Sequence, residues 1–297
     1  MSKLDSRINL ILQNKGNLGS QVQALADWVS SEMRLRRPFL RVFRKEKEGG
    51  KGAGGVLETC SRGYRVKNPT EVVVGLSQKN RNNKEIEWSR AIFNEKRFDL
   101  DGRAFTLVAY EAPLSRPDFK GKGLDDLMKC DLVALAEDAE NPRLLAIEFK
   151  SAQEANEATY LAHALLQAVA YRTALGFHVS ERGALLAEEL KWLADEWFCR
   201  PGSAARIGHG EPLLQVSGAV MGPKSYYRRQ LGLKKTRESA ERIAGAVESG
   251  DFGFLGYIIV DGPEPIRSEE GGHTVARLRN GTFSLARTLR DLTACIQ

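Results

Sequence analysis

Apolar and polar positions change period repeatedly along the chain, and each change marks an element. Val22, Leu25, Ala26, Val29 and Met33 recur at helical spacing over 20–34, ahead of a basic run and Pro38. Residues 1–17 are polar and read as a frayed segment. Residues 39–43 and 56–60 read as hairpin strands, and 71–76 as another strand. The glycine-rich stretch 49–55 lacks the Gly-Lys-Ser/Thr ending and the following helix of a phosphate cradle, so it reads as a hairpin tip. Asn83 stands where it can cap a helix over 84–95, with Ile86, Trp88, Ile92 and Phe93 on its buried faces. A strand follows over 105–110, then a basic, glycine-containing loop over 115–123.

Two apolar runs, 130–135 and 143–150, flank a turn with the Asp, Asn and Pro of a tight reversal, which predicts a hairpin. A helix is expected over 161–175, closed by Gly176, and a second amphipathic segment over 183–198. Strands over 213–221 and 254–260 bracket a helix at 236–249, and a last helix is expected over 284–295. The alternation predicts an α/β fold, a sheet with helices on both faces. Residues 1–80 read as a basic N-terminal elaboration, continuous with a main domain over 81–297.

Composition adds bounds. A hydrophobic content of 42% with 28% charged residues is ordinary for a soluble globular chain. The sequence has no apolar run of membrane-spanning length and no signal pattern, so a cytoplasmic protein without a membrane partner is expected. The four cysteines, at 60, 130, 199 and 295, have no Cys-x-x-Cys spacing and read as reduced thiols. Charge is uneven: the first ninety residues carry 18 Lys and Arg against 9 Asp and Glu, whereas the rest carry 26 against 29. That imbalance points to a polyanionic partner.

The hairpin carries the chemistry. Asp131 and Glu148 are 17 apart in sequence, yet the pairing makes them neighbours. Alternation points Glu148 and Lys150 the same way and Phe149 into the opposite layer. Two carboxylates beside a lysine at one sheet end suit a magnesium ion with an amine near an attacking water.

An aspartate opening one strand, Glu-x-Lys closing the next, and a helix bearing Gln167 and Tyr171 as Gln-x-x-x-Tyr resemble the PD-(D/E)xK superfamily, in its exonuclease-like branch. The resemblance spans roughly 85–175. It implies a restriction-endonuclease-like central mixed sheet and a metal-dependent nuclease, with DNA expected ahead of RNA. It further implies that Asp131, Glu148 and the Phe149 carbonyl hold Mg2+ or Mn2+, and that Lys150 orients the water. Gln167 and Tyr171 would position substrate or the motif residues. Many family members add an acid from a preceding helix; Glu87 is the first candidate, then Glu85 and Glu95. The literal Pro117-Asp118 lies in a loop, and Asp125 and Asp126 also compete; Asp131 is preferred because it begins the paired strand. His163, one turn before Gln167, reads as a bystander.

Phosphate contacts are expected from Lys79, Arg81, Lys84, Lys120, Lys122, Lys224, Arg228 and Arg229, with Tyr226 and Tyr227 interleaved for stacking. The alternatives are a catalytically inactive nucleic-acid-binding module of the same fold, or an interaction domain for an acidic protein. The sequence leaves homo-oligomerisation open.

Overall fold

The two central strands are apolar on both faces, and that decides where they lie. The structure, a computed structural model, describes residues 3–14, 16–35, 75–76, 83–114, 129–136, 143–151, 160–192, 215–270 and 273–297. Strands β4 (Lys129–Ala136) and β5 (Arg143–Phe149) pair antiparallel, Leu132 opposite Ile147 and Leu135 opposite Leu144. Leu144 and Ala146 enter one core layer; Leu145, Ile147 and Phe149 enter the other. Strands buried on both sides carry continuous apolar runs and take central places. β5 runs parallel to β6 (Gln215–Pro223), and β6 parallel to β7 (Phe254–Asp261). Antiparallel β2 (Arg97–Leu100), β3 (Arg103–Pro113) and β10 (Thr282–Ala286) complete a mixed seven-stranded sheet, in the order β10-β7-β6-β5-β4-β3-β2. A smaller antiparallel sheet joins β1 (Gly75–Leu76), β9 (His273–Arg277) and β8 (Ile266–Glu270).

Seven helices are present among the described residues. On one face α4 (Leu161–Trp192) packs with α1 (Lys3–Gln13), α2 (Leu18–Leu35) and α6 (Lys234–Ser249). Gly218 of β6 lets α4 sit close, since a Cβ there would lie 2.7 Å from the Ala168 carbonyl oxygen. On the other face α3 (Lys84–Asn94) lays Trp88, Ile92 and Phe93 over Leu132, Ile147 and Phe149. Helices α5 (Lys224–Gly232) and α7 (Leu289–Ile296) add Tyr226, Tyr227, Leu231, Leu289, Leu292 and Ile296 to the first layer. The α3 cap is the expected one: the Asn83 side chain accepts from the Ile86 N–H. Among the described residues no helix is long and apolar enough to cross a membrane.

Three expectations change, and one segment gains an element. Residues 3–13 are not frayed: α1 buries Leu4, Ile8 and Ile11. An isolated helix of that length is marginal in water, so tertiary burial at about 1.5–3 kcal/mol per large apolar side chain must sustain it. Gly176 does not end its helix, which runs unbroken through 32 residues. A mid-helix glycine costs only about 1 kcal/mol against alanine, too little to break a helix held by the sheet. The last helix begins at Leu289, where Thr288 and Asp291 form a reciprocal capping box, and the preceding residues are strand β10. The segment from Lys224 is a helix carrying two core tyrosines. The strands expected at 39–43 and 56–60, the glycine-rich stretch, the loop at 115–123 and the turn at 137–142 lie outside the described residues.

Candidate active site

Asp131 lies opposite Glu148 at the end of the β4–β5 ladder, and its Oδ2 accepts the Phe149 N–H at 2.8 Å. The side-chain contact displaces a ladder bond, so the strands part there around their own carboxylates. Lys150 N–H turns the other way and donates to the Met221 carbonyl of β6 at 2.9 Å. A strand residue's N–H and C=O leave on one edge; the Phe149 carbonyl therefore faces the side on which Asp131 lies. A Cβ on Gly222 would stand 2.7 Å from the Lys150 carbonyl oxygen and 2.9 Å from Tyr226 Cδ1. Only glycine lets β6 and α5 close this tightly on the site.

The acids share a crowded place in which Asp131 is half-buried and Glu148 buried. Glu148 is 2% exposed and Lys150 7%. Lys150 Nζ meets Glu148 Oε1 at 2.7 Å and Glu85 Oε1 at 3.6 Å. Glu148 Oε2, by contrast, is buried without a hydrogen-bond donor. Burial first, then the Glu148 charge, pushes the Asp131 carboxyl well above its usual range, against the pull of Lys150 and the Phe149 N–H. Burial also raises Glu148, opposed chiefly by Lys150. The pair thus retains a proton to higher pH than a lone carboxylate would. For Lys150, burial opposes the charge, but Glu148, Glu85 and Asp131 outweigh it and hold the ammonium well above its usual value.

Helix α4 supplies a polar ladder on its sheet-facing side. His163 Nδ1 lies 2.9 Å from Gln167 Oε1, and Gln167 Nε2 donates to the Tyr171 hydroxyl at 3.4 Å. Tyr171 is buried, and its phenol is pushed up by burial and then by the Glu148 and Asp131 charges. The structure therefore brings together Asp131, Glu148 and Lys150, sets Gln167 and Tyr171 along one ladder of α4, and keeps Phe149 in the opposite layer as expected.

Other candidates separate. Glu87 does not reach the cluster: its two oxygens accept from Arg267 at 2.6 and 3.0 Å, and Lys84 is 3.6 Å away. Glu85 is the helix acid that meets Lys150. Glu95 accepts the Leu278 N–H away from it. Tyr227 is corrected to a core residue: fully buried, its hydroxyl donates to the Val220 carbonyl at 2.9 Å, which leaves no face for a base. Tyr226 is likewise buried, on the wall beside Lys150. Lys84 pairs with Glu264 at 2.8 Å, and Arg228 donates to the Ile296 carbonyl at 2.6 Å. Arg229 is exposed and Lys224 half-buried. Lys79, Arg81, Lys120, Lys122, Asp118, Asp125 and Asp126 lie outside the described residues.

His163 reads from sequence as a bystander, and its surroundings are these. It is wholly buried and opens the ladder, with Asp5 of α1 3.6 Å from its Nε2. Its i, i+4, i+8 spacing with Gln167 and Tyr171 was the available signal. Among the described residues no group of three or more His, Cys, Asp or Glu is arranged to hold a metal. The donor set nonetheless suits a hard cation in chemistry: Asp131, a donor-free Glu148 oxygen and the Phe149 carbonyl are all oxygen ligands. Comparison with family models, with curated proteins and with solved structures found no match.

Proposed function

We propose that this chain is a metal-dependent nuclease of restriction-endonuclease-like arrangement, hydrolysing phosphodiester bonds in nucleic acid, DNA ahead of RNA. The observation that carries the reading is the pairing of half-buried Asp131 with buried Glu148, crowded enough to hold a proton, with one Glu148 oxygen that Lys150 and the backbone N–H groups leave unmet. Such a pair is relieved by a divalent cation. Asp131, Glu148 and the Phe149 carbonyl would hold Mg2+ or Mn2+, which when bound supplies charge neutralisation and a more acidic water. Lys150 remains an ammonium among three carboxylates. Its role is accordingly to hold the water and neutralise phosphoryl charge, rather than to abstract a proton. Glu85 helps fix that ammonium. Lys224 and Arg229 are the described candidates for backbone phosphates.

The test is incubation with single- and double-stranded DNA and RNA, with Mg2+ or Mn2+ and with EDTA. Cleavage that needs the metal and vanishes in Asp131→Ala, Glu148→Ala and Lys150→Ala is expected. Full activity in either acid variant would overturn the assignment. The closed Glu148–Lys150 pair at 2.7 Å favours a second reading, an inactive nucleic-acid-binding module of the same fold. Salt-sensitive binding without cleavage by any metal would select it, and absence of both would leave the acidic-partner reading.

A further inference from the structure

The polar ladder on α4 has a direction. Gln167 presents its carbonyl oxygen to His163 Nδ1, so that nitrogen is the donor, and the amide nitrogen is left to donate to Tyr171. Having accepted there, the Tyr171 hydroxyl has its own proton left to give outside the ladder. At the other end, Nε2 is buried without a hydrogen-bond partner, and Asp5 Oδ1 at 3.6 Å is beyond bonding reach. Burial above all, and then the Lys150 ammonium, oppose the imidazolium, and they outweigh the Gln167 hydrogen bond and Asp5, which favour it. The form that satisfies the geometry is the neutral ring with its proton on Nδ1.

We infer that His163 is a positioning residue whose Nδ1–H fixes the orientation of the Gln167 amide and thereby keeps the Tyr171 hydroxyl an acceptor from Gln167, with its own proton left to give to the site. Without that donor nothing prevents the amide from turning over. Gln167 Oε1 would then take the Tyr171 proton, and the site would lose a phenol donor. The ring is buried and touches none of the reacting groups, so its effect is carried through Gln167. Asp5 makes α1 part of the arrangement. The inference deepens the nuclease reading by assigning a role to a residue outside its motif, and it rests on that reading.

Two measurements test it, one of them independent of cleavage. Nitrogen-15 NMR of the imidazoles, with His163→Asn used for assignment, reads which ring nitrogen of His163 carries the proton. A proton on Nδ1 is expected; a neutral ring protonated at Nε2 overturns the inference, whether or not the protein cleaves anything. In the cleavage assay, His163→Asn places an amide N–H where Nδ1–H stood and should keep kcat within about threefold. His163→Leu should lower kcat on the order of 10–100-fold, the range typical for partners of metal-ligating groups, with KM little changed. Equal loss in both variants, or undiminished kcat in the leucine variant, overturns it. Should the leucine variant not fold, the NMR result decides.

Discussion

Two carboxylates in this protein are buried to the same degree, Glu87 and Glu148 each being 2% exposed, and they differ in what surrounds them. Glu87 has a planar guanidinium across both oxygens and an ammonium nearby. Glu148 shares one lysine with Glu85, faces a second carboxylate, and has an oxygen with no donor. The first is a closed ion pair, whose removal costs stability because a charge is left behind. The second is under electrostatic load, and load of that kind collects at sites that bind or react. Burial alone does not separate structure from chemistry; the count of donors does.

The largest expected contrast is in activity. Glu148→Ala should lower metal-dependent cleavage by on the order of 100-fold or more, whereas Glu87→Ala should leave the rate per folded molecule within a few-fold. Single-turnover kinetics on fluorescent oligonucleotides would read both. If Glu87→Ala proves as inactive as Glu148→Ala, the distinction fails.

Next in size is stability. Glu87→Ala should destabilise the fold by about 3 kcal/mol, the low end for breaking a buried pair, because Arg267 is partly exposed and water can take it back. Urea titration would show it.

Smaller and of opposite sign, Asp131→Asn should raise stability by about 1 kcal/mol at neutral pH, as relief of a strained functional group commonly does. The sign follows from linkage. Both acids have folded pKa values above their usual 3.8 and 4.5, so their contribution is full below those values and is lost as pH rises through the folded pKa. The advantage of the asparagine variant should therefore shrink as pH falls toward about 4. A gain that grows in acid would contradict the proton-sharing pair.

Smallest is a change that touches both clusters at once. Asn83 caps the turn that carries Glu85 toward Lys150 and Glu87 toward Arg267. Asn83→Ala should cost about 0.5–1 kcal/mol and reduce cleavage only slightly, measured on the same assays.

What could be read from sequence was whatever depends on local period. The β4–β5 hairpin, the opposite facing of Phe149, the α3 cap at Asn83 and the Gln167–Tyr171 spacing all follow from alternation or helical repeat. The choice between Glu85 and Glu87 does not: they are two residues apart on one helix, and the decision comes from Arg267, 180 residues from Glu87. Tyr227 beside two arginines looked like a binding surface, because its acceptor, the Val220 carbonyl, is fixed only by how α5 folds back on β6. Gly176 and α1 misled for the same reason, since packing against the sheet outweighs local preference.

The docking of α1 has a consequence for timing. Asp5 meets His163 across most of the preceding chain, and Arg242 of α6 donates to the Asn14 carbonyl at 2.8 Å over a separation of 228 residues. Contacts that distant close late in folding, because loop entropy opposes them until nearby structure has formed. Trp28 of α2 lies under Arg7 of α1 at 4.5 Å and packs on the core that α4 and α6 share, so the indole reports when this helix pair arrives. In refolding, sheet formation should precede the Trp28 signal, and full catalytic competence should follow that signal rather than the sheet. Activity appearing before the indole change would show that the site matures without its first helix.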